Sequence, residues 1–229
     1  MKYPNAGPDP DFPYLSENQR FTFPNPLDSA DNIVALGGNL SPGMLLSAYE
    51  QGIFPWFNPD DPVIWQSPDP RFIITPESLR VSSSMKKILK RRDFEIRFDY
   101  DFSAVIRACA EIERPGQDGT WITGDMIAAY TELHRLGYAH CAASYAEGQL
   151  VGGCYGILLD RIFFGESMFS KKSNASKAAF LSYAQKLFAE GILFIDCQVR
   201  TDHLLSLGGQ EISRLEFLNL LHHAEKRDT

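Results

Sequence analysis

The sequence lacks the features that mark several large classes of protein. Its four cysteines form no CxxC pair, which argues against a disulfide framework or a zinc site and indicates a reducing cytoplasm. Its five histidines show no HExxH or similar spacing, so no metal site is expected. The N-terminus has no apolar run of the signal-peptide kind, and no stretch approaches about 18 consecutive apolar residues. We therefore expect no membrane-spanning segment.

A net positive charge is also absent. The 229 residues carry a net charge of −7, which argues against a protein that binds nucleic acid over its whole surface. The exception is residues 80–97, where seven basic residues accompany two acidic ones. Such a concentrated basic patch is typical of a phosphate-binding surface, although a solvated helix face would show the same run.

The chain divides by composition near residue 70. Proline and aromatic residues are dense before it, which excludes long helices and central strands, so residues 1–70 are predicted to form a small irregular N-terminal domain. Its one clear helix lies in "LSPGMLLSAYEQG". Residues 71–229 show regular helical and strand patterns and are predicted to form a second domain, so the fold class is α+β.

The order of elements in the second domain is specific. Three consecutive strands, a helix and the strand "ILFIDCQV" follow one another, which is the order of a GNAT-like acyltransferase domain, a central mixed β-sheet flanked by helices. Acetyltransferases of this fold hold the pyrophosphate of coenzyme A on a glycine-containing loop before the central helix. Here that place reads "SKKSNASKAAF", without glycine, so we do not expect coenzyme A as donor.

Two polar residues interrupt the apolar strand at residues 192–199. Because side chains in a strand alternate between faces, Asp196 and Gln198 are predicted to lie on the same face. Burying an unpaired carboxylate costs several kcal/mol. The face therefore either lines a cleft or carries a buried, hydrogen-bonded Asp–Gln pair that fixes the strand register.

Seven segments, in order from about residue 35 to residue 221, together resemble the leucyl/phenylalanyl-tRNA–protein transferases. They read "GGNLSPGMLLSAYEQGIFPWF", "SPDPRF", "GTWIT", "LVGGCYG", "FGESMFS", "NASKAAF" and "IDCQV" with "DHLLSLGG" and "EISR". The resemblance departs at Asn39, where the family usually has Asp, and at Gln66, where a second Trp is usual. It implies a GNAT-like second domain and a reaction without metal or coenzyme, and we expect a cytoplasmic monomer.

The resemblance implies transfer of Leu, Phe or Met from aminoacyl-tRNA to the N-terminal Arg or Lys of an acceptor protein, which creates an N-degron for bacterial proteolysis. This aminolysis of an activated ester needs a held amine, a stabilised tetrahedral intermediate and one proton transfer. By resemblance, Gln198 would accept a hydrogen bond from the amine or donate one to the oxyanion, and Asp196 would act as a base or orient its neighbours. Glu166 would meet the cationic acceptor residue, or else pair with an internal Lys or Arg.

The resemblance also assigns three sets of binding residues. The donor side chain would occupy a deformable apolar pocket, although each of its residues alone is more typical of core. Trp56 and Trp121 would stack on the terminal adenosine of the tRNA, although Trp56 could equally be core. The pocket residues are Cys154, Phe163, Met168, Phe180, Tyr183, Leu187 and Ile195. The residues expected to contact tRNA phosphates are Lys86, Lys87, Lys90, Arg91 and Arg92.

Two other functions fit parts of the sequence. The order of elements alone fits an N-acyltransferase that uses acetyl-CoA, but the missing glycine loop opposes it. The basic helix and the tryptophans fit a non-catalytic RNA-binding module. That module predicts that Asp196→Ala leaves tRNA binding, its only activity, intact, whereas a transferase would lose transfer.

Overall fold

The computed structural model describes residues 6–112 and 120–225. Its N-terminal part contains a short 3₁₀ helix, one α-helix and a small antiparallel sheet with the strand order β1-β3-β2. The helix begins at Pro42 after Ser41, and the chain leaves it through Gly52 at a φ of 73°. The bounds are Pro26–Asp28 for the 3₁₀ helix, Ile33–Leu36 for β1, Pro42–Glu50 for α1, Phe54–Pro55 for β2 and Ile64–Gln66 for β3.

The larger part is built on a seven-stranded sheet with the order β10-β4-β9-β8-β7-β6-β5. Its strand pairs are antiparallel except for β8 and β9, so the sheet is mixed. The strands are β4 (Arg71–Ile74), β5 (Glu95–Phe98), β6 (Ala139–Ala146), β7 (Gln149–Leu159), β8 (Ile162–Ser170), β9 (Phe194–Asp196) and β10 (Gln210–Ile212). The helices are α2 (Ser83–Arg91), α3 (Phe102–Glu111), α4 (Gly124–Arg135), α5 (Ala175–Ala189), α6 (Asp202–Ser206) and α7 (Arg214–Glu225). The predicted α+β class and the order of a meander (β6–β8), a helix (α5) and a strand (β9) are confirmed.

Apolar side chains cover both faces of this sheet. Along the strands, neighbouring residues alternate between two core clusters: Cys154 and Phe163 pack with α5, whereas Tyr155 and Phe164 pack on the other face. The cluster that contains Tyr155 and Phe164 also includes residues from the first 70 of the chain, such as Trp65. The proposed domain boundary near residue 70 stays a prediction. No helix among the described residues has both the length and the apolar composition that crossing a membrane requires.

Strand β9 is shorter than predicted, and this opens the sheet. It was expected to span residues 192–199 but ends at Asp196, where an Asx turn begins: the Asp196 Oδ1 accepts a hydrogen bond from the backbone N–H of Gln198 at 3.0 Å. Gln198 itself has a φ of 56°, in the left-handed region. Strand β8 pairs with β9 only as far as Phe164 and then continues to Ser170. Beyond this point, a gap therefore separates β8 from the segment that follows β9.

Candidate active site

A cavity of about 760 Å³ lies where β8 continues past the end of β9. All six residues from Gly165 to Ser170 line it, as do residues at the start of α5 and in the chain that follows β9. The volume is within the ~300–1,000 Å³ range of pockets that hold small ligands. The splayed strands thus form a site next to the end of β9, where Gln198 reaches the cavity wall.

Glu166 enters this cavity from a β-bulge. In the register between β7 and β8, Tyr155 lies opposite Ser167 and Gly156 lies opposite Gly165, so Glu166 is the extra residue. A bulge of this kind turns a side chain away from the regular alternation of the strand. The predicted site residue Glu166 is thereby half-buried at the cavity wall rather than packed in the sheet.

Two buried tyrosines hold the Glu166 carboxylate. The Tyr49 hydroxyl donates to Oε1 at 2.7 Å, and the Tyr130 hydroxyl donates to Oε2 at 3.2 Å, while the two hydroxyls also contact each other. Burial raises the pKa of Glu166 to about 7, although the Tyr49 hydrogen bond acts in the opposite direction. Near neutral pH this carboxyl group therefore exists in both protonation states. Sequence reasoning missed both tyrosines, because nothing local distinguishes them from ordinary core residues of α1 and α4.

Gln198 lines the same cavity and is tied to Glu166. Its Nε2 donates to the Glu166 Oε1 at 3.3 Å. With the amide nitrogen held in this way, the side-chain oxygen is the atom available to accept a hydrogen bond from a ligand. Glu166, predicted from a separate motif, and Gln198 are thus brought together.

The position of Asp196 differs from the predicted one. Its side chain is fully buried and does not line the cavity, because it forms a bidentate pair with the equally buried Arg71, Nε to Oδ1 at 2.9 Å and Nη2 to Oδ2 at 2.6 Å. The prediction that Asp196 and Gln198 share one open face was therefore wrong for Asp196. The physical reason is the early end of β9, which removes the alternation on which the prediction relied.

Arg71 was not identified from the sequence. Its guanidinium lies between the rings of Phe54, 5.0 Å from the centroid, and Phe217, 4.2 Å away, and Nη1 donates to the backbone oxygen of Gly52 at 3.1 Å. An arginine opening the apolar strand "RFIIT" was the available signal. Its partner lies 125 residues away in the chain, which a single sequence cannot reveal.

The predicted donor pocket falls partly on the cavity wall. Cys154, Phe163, Met168 and Phe180 line it. The other three predicted residues, Tyr183, Leu187 and Ile195, are buried in the same core cluster behind that wall, where Tyr183 makes an edge contact with Phe163 at 5.1 Å. One side of the cavity is therefore apolar and backed by close packing.

The two predicted stacking tryptophans both line the cavity. Trp56 is 39% exposed and lies beside the ring of Phe54 at 6.5 Å, so it is not a core residue. Trp121 is half-buried. Their indole rings give this side of the cavity flat aromatic surface.

The basic helix is α2, and its charged side chains point outward. Lys86, Lys87, Lys90, Arg91 and Arg92 are all exposed, while Met85 is buried beneath them. Arg91 forms a bidentate pair with Asp93, at 3.1 and 2.6 Å, and Arg92 ends the helix in the left-handed conformation. None of the five lines the cavity. They form a separate basic surface.

The chemistry of the cavity wall favours neither a thiol nucleophile nor a metal. Burial raises the pKa of the Cys154 thiol, so it stays protonated at neutral pH. Within residues 6–112 and 120–225, no three His, Cys, Asp or Glu side chains come together as metal ligands. The cavity is lined by a carboxylate, an amide, several hydroxyl groups, an imidazole, apolar side chains and two indoles.

Two models of one protein family match this chain. The family model described as "Leucyl/phenylalanyl-tRNA protein transferase" matches residues 73–222, and that of its N-terminal domain matches residues 38–69. The chain belongs to the leucyl/phenylalanyl-tRNA–protein transferase family. The family resemblance read from the sequence motifs is confirmed.

Individual members of the family cover most of the chain. A leucyl/phenylalanyl-tRNA–protein transferase of Chromobacterium violaceum is 49% identical over 218 residues, 95% of this chain and 90% of that protein. A Syntrophobacter fumaroxidans protein of the same name is 50% identical over 198 residues, 86% of this chain and 85% of that one. The segments that form the cavity lie within the residues that the two family models match, 38–69 and 73–222.

Solved structures resemble the chain more distantly. The L-PGS structure from Bacillus licheniformis has a TM-score of 0.41 at 13% identity and covers 59% of this chain and 49% of that one. A GCN5-related N-acetyltransferase-like protein from Streptococcus suis has a TM-score of 0.37 at 15% identity, with coverages of 62% and 57%. Likeness at this level is too weak to bear on function.

Proposed function

We propose that this protein transfers Leu, Phe or Met from aminoacyl-tRNA to the N-terminal Arg or Lys of acceptor proteins, as a monomer in the cytoplasm where aminoacyl-tRNA is made. The observation that carries the proposal is that the hydrogen-bonded residues Gln198 and Glu166 line the same cavity as a set of apolar side chains and two tryptophans. Each part of the two substrates then has a chemically matched surface. The product, a protein with a new apolar N-terminal residue, is an N-degron.

The donor is held at its two ends. The amino-acid side chain packs on Phe163, Met168 and Phe180, where the thioether adapts to unbranched and aromatic shapes. The terminal adenine stacks on Trp56 and Trp121, at about 1–3 kcal/mol per stacked base. The ester carbonyl between these two ends is thereby fixed, which lowers the entropic part of the barrier.

The acceptor enters on the polar side of the cavity. Glu166, anchored by Tyr49 and Tyr130, pairs with the cationic side chain of the N-terminal Arg or Lys. This directs the neighbouring α-amine at the ester carbonyl beside Gln198. Acceptors with a neutral or acidic first residue lack the partner for this carboxylate.

The bond exchange balances without a cofactor. The acceptor nitrogen forms a bond to the carbonyl carbon, the ester C–O bond breaks, and the proton lost by nitrogen ends on the ribose oxygen. Gln198 accepts a hydrogen bond from the attacking amine through its side-chain oxygen, because its Nε2 is held by Glu166. Asp196 orients Gln198 through the hydrogen bond to its backbone N–H and does not serve as the base, since Arg71 occupies both carboxylate oxygens.

The direct test is a transfer assay. The protein is incubated with labelled Leu-tRNA and an acceptor with N-terminal Arg, and the same acceptor with N-terminal Glu is the control. Label should enter the first acceptor and not the second. Equal labelling of both, or of neither across a range of salt and pH, would exclude this function.

The ionisation of Glu166 should be visible in the pH dependence of transfer. Because its pKa is raised to about 7, the carboxylate that binds the acceptor is lost as the pH falls through 7. The acceptor α-amine, with an ordinary pKa of about 8, is protonated over the same range. Below pH 7 we expect log kcat/KM for the acceptor to fall with a slope near two per pH unit.

Glu166→Gln separates the two ionisations. The variant keeps the shape of the side chain, exchanges one acceptor oxygen for an NH2 donor and cannot titrate, so its slope should fall to about one while its KM for the acceptor rises. Identical slopes in the parent and the variant would show that Glu166 does not bind the acceptor as an anion.

The basic surface of α2 should contribute affinity but not donor choice. Lys87→Glu with Lys90→Glu places repulsive charges on an exposed face, so the Kd for tRNA should rise about tenfold or more at low salt, and the salt dependence should weaken. The increase should be the same for Leu-tRNA and Phe-tRNA, because backbone contacts read no sequence. Filter binding over a salt series measures both quantities.

A matched charge change elsewhere is the control. Arg135→Glu with Lys186→Glu alters the net charge by the same amount on exposed parts of α4 and α5. If the control weakens binding equally, the effect is one of overall charge. A loss confined to one donor would contradict a role in phosphate contact.

A further inference from the structure

Gly165 in β8 is a cavity-lining glycine that the packing of the protein itself does not require. A Cβ atom at this position would lie 3.5 Å from the backbone oxygen of Asp196, 3.8 Å from Cγ2 of Ile195 and 4.0 Å from Cε1 of Phe163, which are ordinary van der Waals distances. The backbone does not require glycine either, because the φ of Gly165 lies outside the left-handed region. Glycine weakens a strand interior, and where the fold has no need of it, it marks a place that a ligand approaches closely.

The glycine opposite Gly165 shows the contrasting case. Gly156 of β7 pairs with Gly165, and a Cβ atom at Gly156 would come within 2.5 Å of Cζ of Phe163 and closer still to the backbone oxygen of Phe164. The ring of Phe163 therefore occupies the space over Gly156, and the protein needs a glycine there. The space over Gly165 is left uncrowded and belongs to the wall of the cavity.

The position of Gly165 in the cavity indicates what fills this space. Phe164 opposite Asp196 is the last pair between β8 and β9, so Gly165 is the first residue of β8 along the gap. Two of the three atoms nearest to the missing Cβ are carbon atoms of Phe163 and Ile195, which are both residues of the predicted donor pocket. An apolar group of a ligand suits this space better than the cationic side chain of the acceptor.

We propose that Gly165 is a specificity-determining residue for the donor, because its missing side chain leaves the space in which the aromatic ring of a phenylalanyl donor packs. The inference rests on the proposed function and deepens it. The ring of Phe reaches further from its Cβ than the isobutyl group of Leu, so a methyl group at residue 165 obstructs Phe before it obstructs Leu. One methyl or methylene group in an apolar pocket changes kcat/KM by about 10- to 200-fold.

The test compares Gly165→Ala with Gly124→Ala. Gly124 is exposed at the start of α4, its φ is also outside the left-handed region, and no atom lies within 4 Å of the position of a Cβ there. Transfer from Leu-tRNA and from Phe-tRNA to an acceptor with N-terminal Arg gives kcat/KM for each donor, and thermal unfolding gives Tm. Amide-linked analogues of leucyl-adenosine and phenylalanyl-adenosine do not transfer, so calorimetry gives their Kd.

In Gly165→Ala, the ratio of kcat/KM for Leu-tRNA to that for Phe-tRNA should rise about tenfold or more, through loss of Phe transfer. The Kd of the phenylalanyl analogue should rise by a similar factor, while that of the leucyl analogue changes little. The Tm should equal or exceed that of the parent, because Ala loses less backbone freedom on folding than Gly. Gly124→Ala should leave both ratios as they are in the parent.

Three results would overturn the role of Gly165: an unchanged donor ratio, an equal loss for both donors, or a Tm below that of the parent. A lower Tm would show that the fold itself needs this glycine. Gly156→Ala is the reference for that case, because it forces the Phe163 ring to move and should lower Tm.

A failure of the function itself gives a different result. If the parent transfers neither Leu nor Phe, the proposed function is wrong, and the Kd values of the two analogues still show whether Gly165 selects between them. If the parent transfers both and Gly165→Ala keeps the same ratio, the transferase stands and the role of Gly165 is wrong.

Discussion

Gln198→Ala is expected to lower kcat for transfer by about 100- to 1,000-fold and to leave the Kd for aminoacyl-tRNA nearly unchanged. The side chain lines the cavity, and its oxygen is the proposed acceptor for the attacking amine, an interaction that would strengthen as the nitrogen gains positive charge. The tryptophans and the basic surface, which are proposed to hold the tRNA, are untouched. Single-turnover transfer and filter binding measure the two quantities separately.

Two further substitutions separate chemistry from backbone strain. Gln198 has a φ of 56°, which Ala tolerates poorly, whereas Asn and Gly adopt it readily. Gln198→Gly should therefore fold at least as well as Gln198→Ala and be equally inactive, and Gln198→Asn should keep the fold but place the amide one carbon too short. If Gln198→Gly transfers within about fivefold of the parent rate, the amide has no part in the reaction.

Local patterns in the sequence were sufficient for the frame of the molecule. The Ser82 and Thr123 side chains cap α2 and α4, a position that serine and threonine favour, and residues 139–170 contain the three strands of the predicted meander. These are short-range effects, decided within one turn or one strand. The seven family motifs also identified the two cavity tryptophans and Glu166. These residues come from distant segments, which secondary-structure propensities do not relate to one another.

The details of the site depend on long-range contacts, which local sequence patterns do not predict. The strand "ILFIDCQV" has the composition to continue to residue 199, but the Asp196 carboxylate accepts the Gln198 N–H and ends it at 196. The bulge that turns Glu166 into the cavity is a difference of one residue between two paired strands. Arg71, Tyr49 and Tyr130 acquire their roles only when α1, α4, β4 and β8 have packed together.

These contacts link the polar side of the cavity to its aromatic side. Asp196 fixes the backbone at Gln198 and is itself fixed by Arg71, whose guanidinium lies against Phe54, the ring beside Trp56. The Gln198 amide and the Trp56 indole, proposed to meet the amine and the adenine, are therefore connected through one buried ion pair. These contacts favour a structural role for Asp196 over one as a proton acceptor.

Arg71→Met should consequently destabilise the fold strongly. It leaves the Asp196 carboxylate fully buried without its cation, a change that costs about 3–5 kcal/mol. For a chain of this length, about 2–4 °C is lost per kcal/mol, so Tm should fall by roughly 6–20 °C. Calorimetry or thermal unfolding followed by circular dichroism gives the value. Arg135→Met, which breaks an exposed pair with Glu132, is the matched control and should cost less than about 1 kcal/mol.

A double-mutant cycle then isolates the pair. Asp196→Asn removes the buried charge, so in that background Arg71→Met no longer creates an uncompensated carboxylate, and the double variant should be much less unstable than the sum of the single losses. Strict additivity would mean that the two side chains act independently, against the bidentate geometry. If the buried pair also positions the amide, the double variant should regain stability without regaining kcat, because the Gln198 backbone is then held by a neutral Asn with no guanidinium to fix it.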